Sequence, residues 1–185
     1  FYNELLLSDP EKYSQVLTYL ARRGVEKPII ERFQIGYSPA YIDAVHQGRA
    51  LINEFLPRFE DDYRTFRHFQ DGCLIRLLND KGARGYGYYL QQTDFTTRSP
   101  FARNYGDYFA GRIIFPIRNI RGEVIGFIGR RPDNRGIRWI KQQAGETAIT
   151  TKSWLYGIDK AYRFIKHYRT VICLLYTSDA ADDLL

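Results

Sequence analysis

The chain has no methionine, two cysteines and three histidines among its 185 residues. Cys73 and Cys173 stand far apart and outside any metal-ligand spacing, so neither a disulfide framework nor a zinc site is expected, and the setting read from them is reducing and cytoplasmic. His46, His68 and His167 form no ligand pair at helical spacing. No apolar run approaches the ~20 residues that span a bilayer, and a basic-then-apolar leader pattern is missing, so no membrane partner is expected. Gly122, Gly126 and Gly129 have neither the spacing nor the lysine of a phosphate-binding P-loop. The adjacent carboxylates Glu60, Asp61 and Asp62 read as a solvated segment rather than an acid–base pair. Internal repeats and low-complexity tracts are lacking too. These absences leave no catalytic constellation, and the residues that remain point to binding.

With Phe1 in first place and no methionine anywhere, we expect an internal fragment of a longer protein. The stretch 173–185 opens with CLLYTSDAAD, which reads as a translated sequencing-library transposon adapter. It is therefore set aside from the fold as an expected artefact, in preference to a genuine acidic tail. The whole chain carries 27 basic and 21 acidic residues, a net +6; without Asp179, Asp182 and Asp183 the balance is 27 against 18, or +9. Such a balance favours an anionic partner, nucleic acid or nucleotide.

Arginine supplies much of that charge, and it is concentrated. From Arg98 to Arg138 there are nine arginines against Asp107, Glu123 and Asp133. Within this stretch Ile113, Ile114, Phe115 and Ile117 form one apolar run and Val124, Ile125, Phe127 and Ile128 another, separated by Asn119, Ile120, Arg121 and Gly122. The pattern predicts an antiparallel hairpin. Pro116 removes a backbone donor, which places its strand at a sheet edge or a bulge. Arg112, Arg118, Arg121, Arg130 and Arg131 punctuate the hairpin, and guanidinium groups along a sheet rim suit polyphosphate.

The flanking segments read as short elements. Ser8-Asp9-Pro10-Glu11 has the spacing of a capping box, followed by Tyr13, Val16, Leu17 and Leu20 at helical intervals and a stop at Gly24. Pro28 opens a second helix through Phe33, 34–37 reads as a brief strand, and Ser38-Pro39 restarts a helix. Leu51, Ile52, Phe55 and Leu56 give a further helical face that Pro57 is expected to end. Residues 73–78 and 86–90 read as a second hairpin, its tyrosines packing on a sheet, and 91–107 as a surface loop. Residues 138–141 read as a short strand, Ile158, Ala161, Tyr162 and Ile165 as the face of a last helix, and 169–172 as the start of a buried strand. The predicted class is α+β, with short N-terminal helices, an antiparallel sheet of hairpins and a C-terminal helix.

Five segments in order carry a family resemblance: YLARRG at 19–24, FQIGYSP at 33–39, GRIIFPIR at 111–118, RGEVIGFIGR at 121–130, and Lys152 followed by LYGI at 155–158. Together they resemble the N-terminal, basic part of the RNA-polymerase core of bacterial DnaG-type DNA primases. The resemblance implies that 1–168 is that subdomain and that 169–172 begins a truncated Toprim subdomain. It implies synthesis of short RNA primers on single-stranded DNA during replication, with template, nucleoside triphosphates, RNA primer and a replicative helicase as partners. By motif position, Arg23, Arg112, Arg130, Arg138 and Lys152 would bind template and nucleotide. Magnesium would be held by Toprim acids and zinc by an N-terminal module, neither belonging to this chain, so the fragment itself is expected to be inactive. Arg138 stands where the family has lysine, Lys152 is one residue nearer Leu155 than usual, and Ala110 replaces a common arginine. The alternative weighed is a non-catalytic single-stranded nucleic-acid-binding module of a phage or mobile-element protein.

Overall fold

The computed structural model describes residues 1–40, 48–77, 105–133, 136–142 and 155–171. Among them lie helices α1 Tyr2–Ser8, α2 Ser14–Ala21, α3 Lys27–Phe33, α4 Ala50–Asp61, α5 Tyr63–Asp71 and α6 Ile158–Tyr168. The strands are β1 Gly36–Ser38, β2 Ile75–Leu77, β3 Tyr105–Asp107, β4 Arg112–Arg118, β5 Val124–Arg130 and β6 Trp139–Lys141. This is the expected α+β architecture.

The predicted hairpin forms its centre. β4 and β5 pair antiparallel, from Ile113 opposite Arg130 to Arg118 opposite Val124, with a bulge between Ile117 and Arg118. Two short strands flank them to give the order β1-β4-β5-β6, all antiparallel. β1 reaches along β4 only as far as Ile114. Pro116 therefore lies beyond the end of that ladder and just before the bulge, where a missing donor costs little. In the connecting loop the Asn119 side-chain oxygen accepts the amides of Arg121 and Glu123 at 2.9 and 3.1 Å, and Gly122 takes the left-handed conformation at φ 85.

Strand alternation gives the sheet two different faces. Ile113 packs with Leu6, Tyr13, Val16, Leu20, Ile30 and Ile35, joining the sheet to α1, α2 and α3. Ile114, Pro116 and Phe127 instead line a cleft of about 280 Å³ with Phe55 and Phe69. Those rings belong to α4 and α5, whose own core is Leu51, Ile52, Phe59 and Phe66 together with Ile75 of β2. At the N-terminal end α1 lies directly on β1. A side-chain carbon at Gly36 would come within 2.6 Å of the Tyr2 carbonyl carbon, and Asn3 Nδ2 donates to the Ile35 carbonyl at 2.7 Å.

Local contacts overrule several of the sequence expectations. Ser8 closes α1, its hydroxyl donating back to the Leu5 carbonyl at 2.9 Å, and the next helix has Tyr13 at its N-cap, too far along the chain for Ser8 to cap it. Asp9 accepts the Lys12 amide at 3.0 Å, and α2 begins only at Ser14. Pro57 sits inside α4, which continues to Asp61; one backbone hydrogen bond is lost, while buried Ile52 and Phe59 anchor the helix on either side. Tyr105–Asp107 is a strand rather than the end of a surface loop: it pairs antiparallel with β2, and Asp107 is completely buried. Arg169 ends α6 in the left-handed conformation and Val171 is 62% exposed, so 169–171 is exposed coil and not a buried strand. Lys152, residues 41–47 after Ser38-Pro39, 86–90 of the second predicted hairpin, and 172–185 lie outside the described residues.

Candidate nucleic-acid interface

Three elements bring one cationic cluster together. α2 supplies Tyr19 and, just past its end, Arg23; β5 ends on Arg130; and β6 begins with Trp139, the cross-strand partner of Arg130. The Arg130 guanidinium carbon lies 4.8 Å from the Trp139 ring centre and 5.4 Å from that of Tyr19. Arg23 lies 4.9 Å from the same Tyr19 ring. Two guanidinium groups thus share one aromatic ring, and the one on Arg130 also meets an indole. Such contacts fix the position of a cation without neutralising it.

The Arg130 Nε is buried without a hydrogen-bond partner. Burial first, and then the neighbouring charges of Arg23 and Arg138, hold its guanidinium below the ordinary arginine value, while Tyr19 acts in the opposite direction. An arginine remains charged at neutral pH even so. A partly desolvated cation with a free donor and two like charges nearby is stabilised by an incoming anion, and phosphate matches the geometry of the guanidinium fork. The aromatic wall continues from Trp139 to Phe115 at 6.0 Å, to Tyr156 at 6.1 Å, and to Phe33 stacked on Tyr156 at 5.7 Å. Burial pushes the Tyr156 hydroxyl up to about 12, so it stays protonated.

Of the residues singled out in the sequence, Arg23 and Arg130 meet over the Tyr19 ring, and Arg138 lies close enough for its charge to act on Arg130. Arg112 does not join them. It precedes Ile113, which pairs with Arg130, so strand alternation places it on the opposite face of the sheet. There it is buried, and its Nη1 donates to the carbonyls of Ile137 and Arg138 at 3.0 and 3.2 Å. Burial is also the leading reason that its guanidinium lies below the ordinary arginine value. Tyr19 and Trp139 were not among the predicted site residues. The available signal was position: Tyr19 precedes Arg23 by four residues, one helical turn, and Trp139 follows Arg138 directly.

Tyr19 also lines a groove of about 670 Å³ with Tyr37, Arg22, Arg131, Ala110 and Gly111. At its edge Arg131 pairs with Asp133, Nε to Oδ1 at 2.8 Å and Nη2 to Oδ2 at 3.0 Å. Among the described residues no three histidine, cysteine, aspartate or glutamate side chains gather where they could hold a metal ion. No helix among them is long and apolar enough to cross a membrane.

The family model for the DNA primase catalytic core, N-terminal domain, matches residues 49–162. That match contains Arg112, Arg130, Arg138 and Lys152 but leaves out Tyr19 and Arg23, which the fold packs against Arg130. The DNA primase of Streptomyces coelicolor is 33% identical over 183 residues, covering 96% of this chain and 23% of the relative. The catalytic core of E. coli primase is similar in structure with a TM-score of 0.59 at 26% identity, over 89% of this chain and 41% of that one. A DnaG primase catalytic domain solved bound to single-stranded DNA is similar with a TM-score of 0.55 at 24% identity, over 83% of this chain and 38% of that one. The chain spans between 16% and 26% of the length of the curated relatives it matches. With a domain match across more than half of its length, the chain belongs to the DNA primase catalytic-core family, as the N-terminal domain of that core.

Proposed function

We propose that this chain is the template- and nucleotide-binding part of a bacterial DnaG-type primase, an enzyme that synthesises short RNA primers on single-stranded DNA. The observation that carries the reading is the Arg130 guanidinium, set beside the rings of Tyr19 and Trp139 with its Nε buried and without an acceptor. A backbone phosphate meets the solvent-facing part of that guanidinium, and Arg23 and Arg138 share its charge; Lys152 is a further contact. The groove beside Tyr19, lined by Tyr37 and Arg22, continues the path. The relative solved with single-stranded DNA supports this choice of ligand.

Among the described residues no acidic cluster fits a magnesium site. Asp107 is occupied by backbone amides of α4, and Asp133 is paired with Arg131. We assign metal binding and nucleotidyl transfer to the Toprim part of the whole enzyme, and zinc to an N-terminal module. Nucleoside triphosphates and the RNA primer are partners of the completed cleft, a replicative helicase is a partner of the whole enzyme, and the setting is cytoplasmic.

The test is binding of a single-stranded oligothymidylate as salt is varied. Affinity should fall with salt, and Arg130→Ala should weaken it about tenfold while reducing the salt slope by about 0.7, the loss of one phosphate contact. Equal affinity and slope for the variant and the parent chain would overturn the assignment.

A further inference from the structure

We propose that Arg112 is a positioning residue that sets Arg138 from the far side of the sheet, rather than a phosphate ligand. The inference rests on the reading of Arg23, Arg130 and Arg138 as the phosphate-binding cluster. Three observations carry it.

The first is direction. β4 pairs Ile113 with Arg130, so Arg112, one residue earlier, projects from the opposite face. A ligand held at Arg130 does not meet it. The second is the route of its side chain. A carbon added at Gly129 would lie 2.5 Å from Phe109 Cδ1 and 3.1 Å from Arg112 Cδ, so the Phe109 ring and the arginine stem both pass over this glycine of β5. This gives Gly129 a specific task, because any larger residue would collide with the Phe109 ring and crowd the arginine. The third is the destination. Arg112 Nη1 donates to the carbonyls of Ile137 and Arg138, the two residues leading into β6. The Arg138 carbonyl also accepts the Arg131 amide at 3.0 Å, so the backbone at Arg138 is held by Arg112 of β4 and by Arg131 just past the end of β5.

Pinning that carbonyl fixes where the Arg138 side chain leaves the backbone. It also fixes Trp139, the next residue, against Arg130. A buried arginine with carbonyl partners suits this task, since its planar donors are held in place while the charge keeps the site electropositive from beneath.

The test is a double-mutant cycle on the 185-residue chain, read by binding to a single-stranded oligothymidylate and by amide resonances. Arg112→Lys keeps the charge and much of the packing, but its ammonium stops short of the two carbonyls. Alone, it should weaken binding about tenfold, the scale of one lost contact to a charged group. Arg138→Ala should cost a similar factor, and the double variant should bind no more weakly than Arg138→Ala. Losses that multiply in the double variant, or unchanged binding in Arg112→Lys, would sink the proposal in favour of a direct phosphate contact or mere packing. Independently of nucleic acid, Arg112→Lys should shift the amide resonances of Arg131 and Trp139 while the thermal midpoint stays close to that of the parent. Unmoved amides overturn the proposal even if binding falls. If the parent chain fails to bind the oligonucleotide, the functional reading fails, and the amide shifts still decide what Arg112 does.

Discussion

Arg130 and Trp139 face each other across the β5–β6 ladder, the guanidinium carbon 4.8 Å from the indole ring centre. With Tyr19 at 5.4 Å, two rings hold a cation whose like-charged neighbours would otherwise drive it into solvent. Trp139→Leu should therefore weaken single-strand binding several-fold, the effect of losing about 1 kcal/mol of cation–π contact. Tyr19→Leu should act similarly, whereas Tyr19→Phe, which keeps the ring and removes a buried hydroxyl without a partner, should bind like the parent. Fluorescence anisotropy with a labelled oligothymidylate, alongside circular dichroism to confirm the fold, distinguishes these outcomes. Equal loss in Tyr19→Phe and Tyr19→Leu would show that the ring does not hold the cations.

Gly36→Ala should be strongly destabilising. The added carbon would lie 2.6 Å from the Tyr2 backbone, so α1 must lift from β1, and Asn3 must give up the Ile35 carbonyl. Overpacking of this kind costs about 1–3 kcal/mol. Gly24→Ala provides the comparison, because it meets no neighbour and is strained only by its left-handed φ of 74, at a cost of about 1 kcal/mol. Urea titrations should rank Gly36→Ala as the more damaging; the reverse order would mean that α1 docks loosely.

The central hairpin was legible because its two apolar runs and its Asn-to-Gly turn are local signals. So were α3, opened by Pro28, and the strand containing Trp139. Tyr105–Asp107 was not, since its pairing with β2 and its burial depend on contacts remote in sequence. Ser8 misled for a related reason: the capping pattern is present, but the serine ends the preceding helix and the next one starts only at Ser14. At the site, motif position picked out Arg23 and Arg130, which share the Tyr19 ring, and Arg138, whose charge acts on Arg130. It could not show that Arg112 projects from the other face, because that follows from strand register. Nor could it show that Tyr19 and Arg130, far apart in sequence, meet through the packing of α2 on the sheet.

Asp62 joins α4 to α5 as the N-cap of the second helix, accepting the Arg64 amide at 2.9 Å and the Thr65 hydroxyl at 2.8 Å. The Thr65 bond, and then the Arg64 amide, hold its carboxyl below the usual aspartate value of 3.8. A lowered folded-state value means that its stabilising contribution is present above the ordinary aspartate range and is lost as pH falls through it. Asp62→Ala should lower the thermal midpoint modestly at pH 7, and Asp62→Asn much less, as an N-cap role requires. The gap between parent and Asp62→Ala should close on acidification. A gap that persists in acid would mean that the charge of Asp62 contributes nothing.

Asp107 should give the opposite pH dependence. Its carboxylate is completely buried at the first turn of α4, accepting the Leu51 amide at 2.9 Å and the Ile52 amide at 3.3 Å, with the Ser38 hydroxyl at 3.5 Å. Those bonds and the Arg49 charge favour the ionised form, yet burial outweighs them and pushes the carboxyl from 3.8 up to about 7. The folded state thus binds the proton more tightly than the unfolded chain does. Stability from this group is full below about pH 4 and is lost as pH rises through about 7, a swing of roughly 4 kcal/mol. Asp107→Asn keeps an acceptor for the helix terminus and removes the titration. Unfolding free energies from urea titrations should therefore show the parent ahead of Asp107→Asn at pH 5 and its lead shrinking or reversing by pH 8. A difference that stays flat across that window would mean that Asp107 remains ionised throughout, held so by the first turn of α4 and by Arg49.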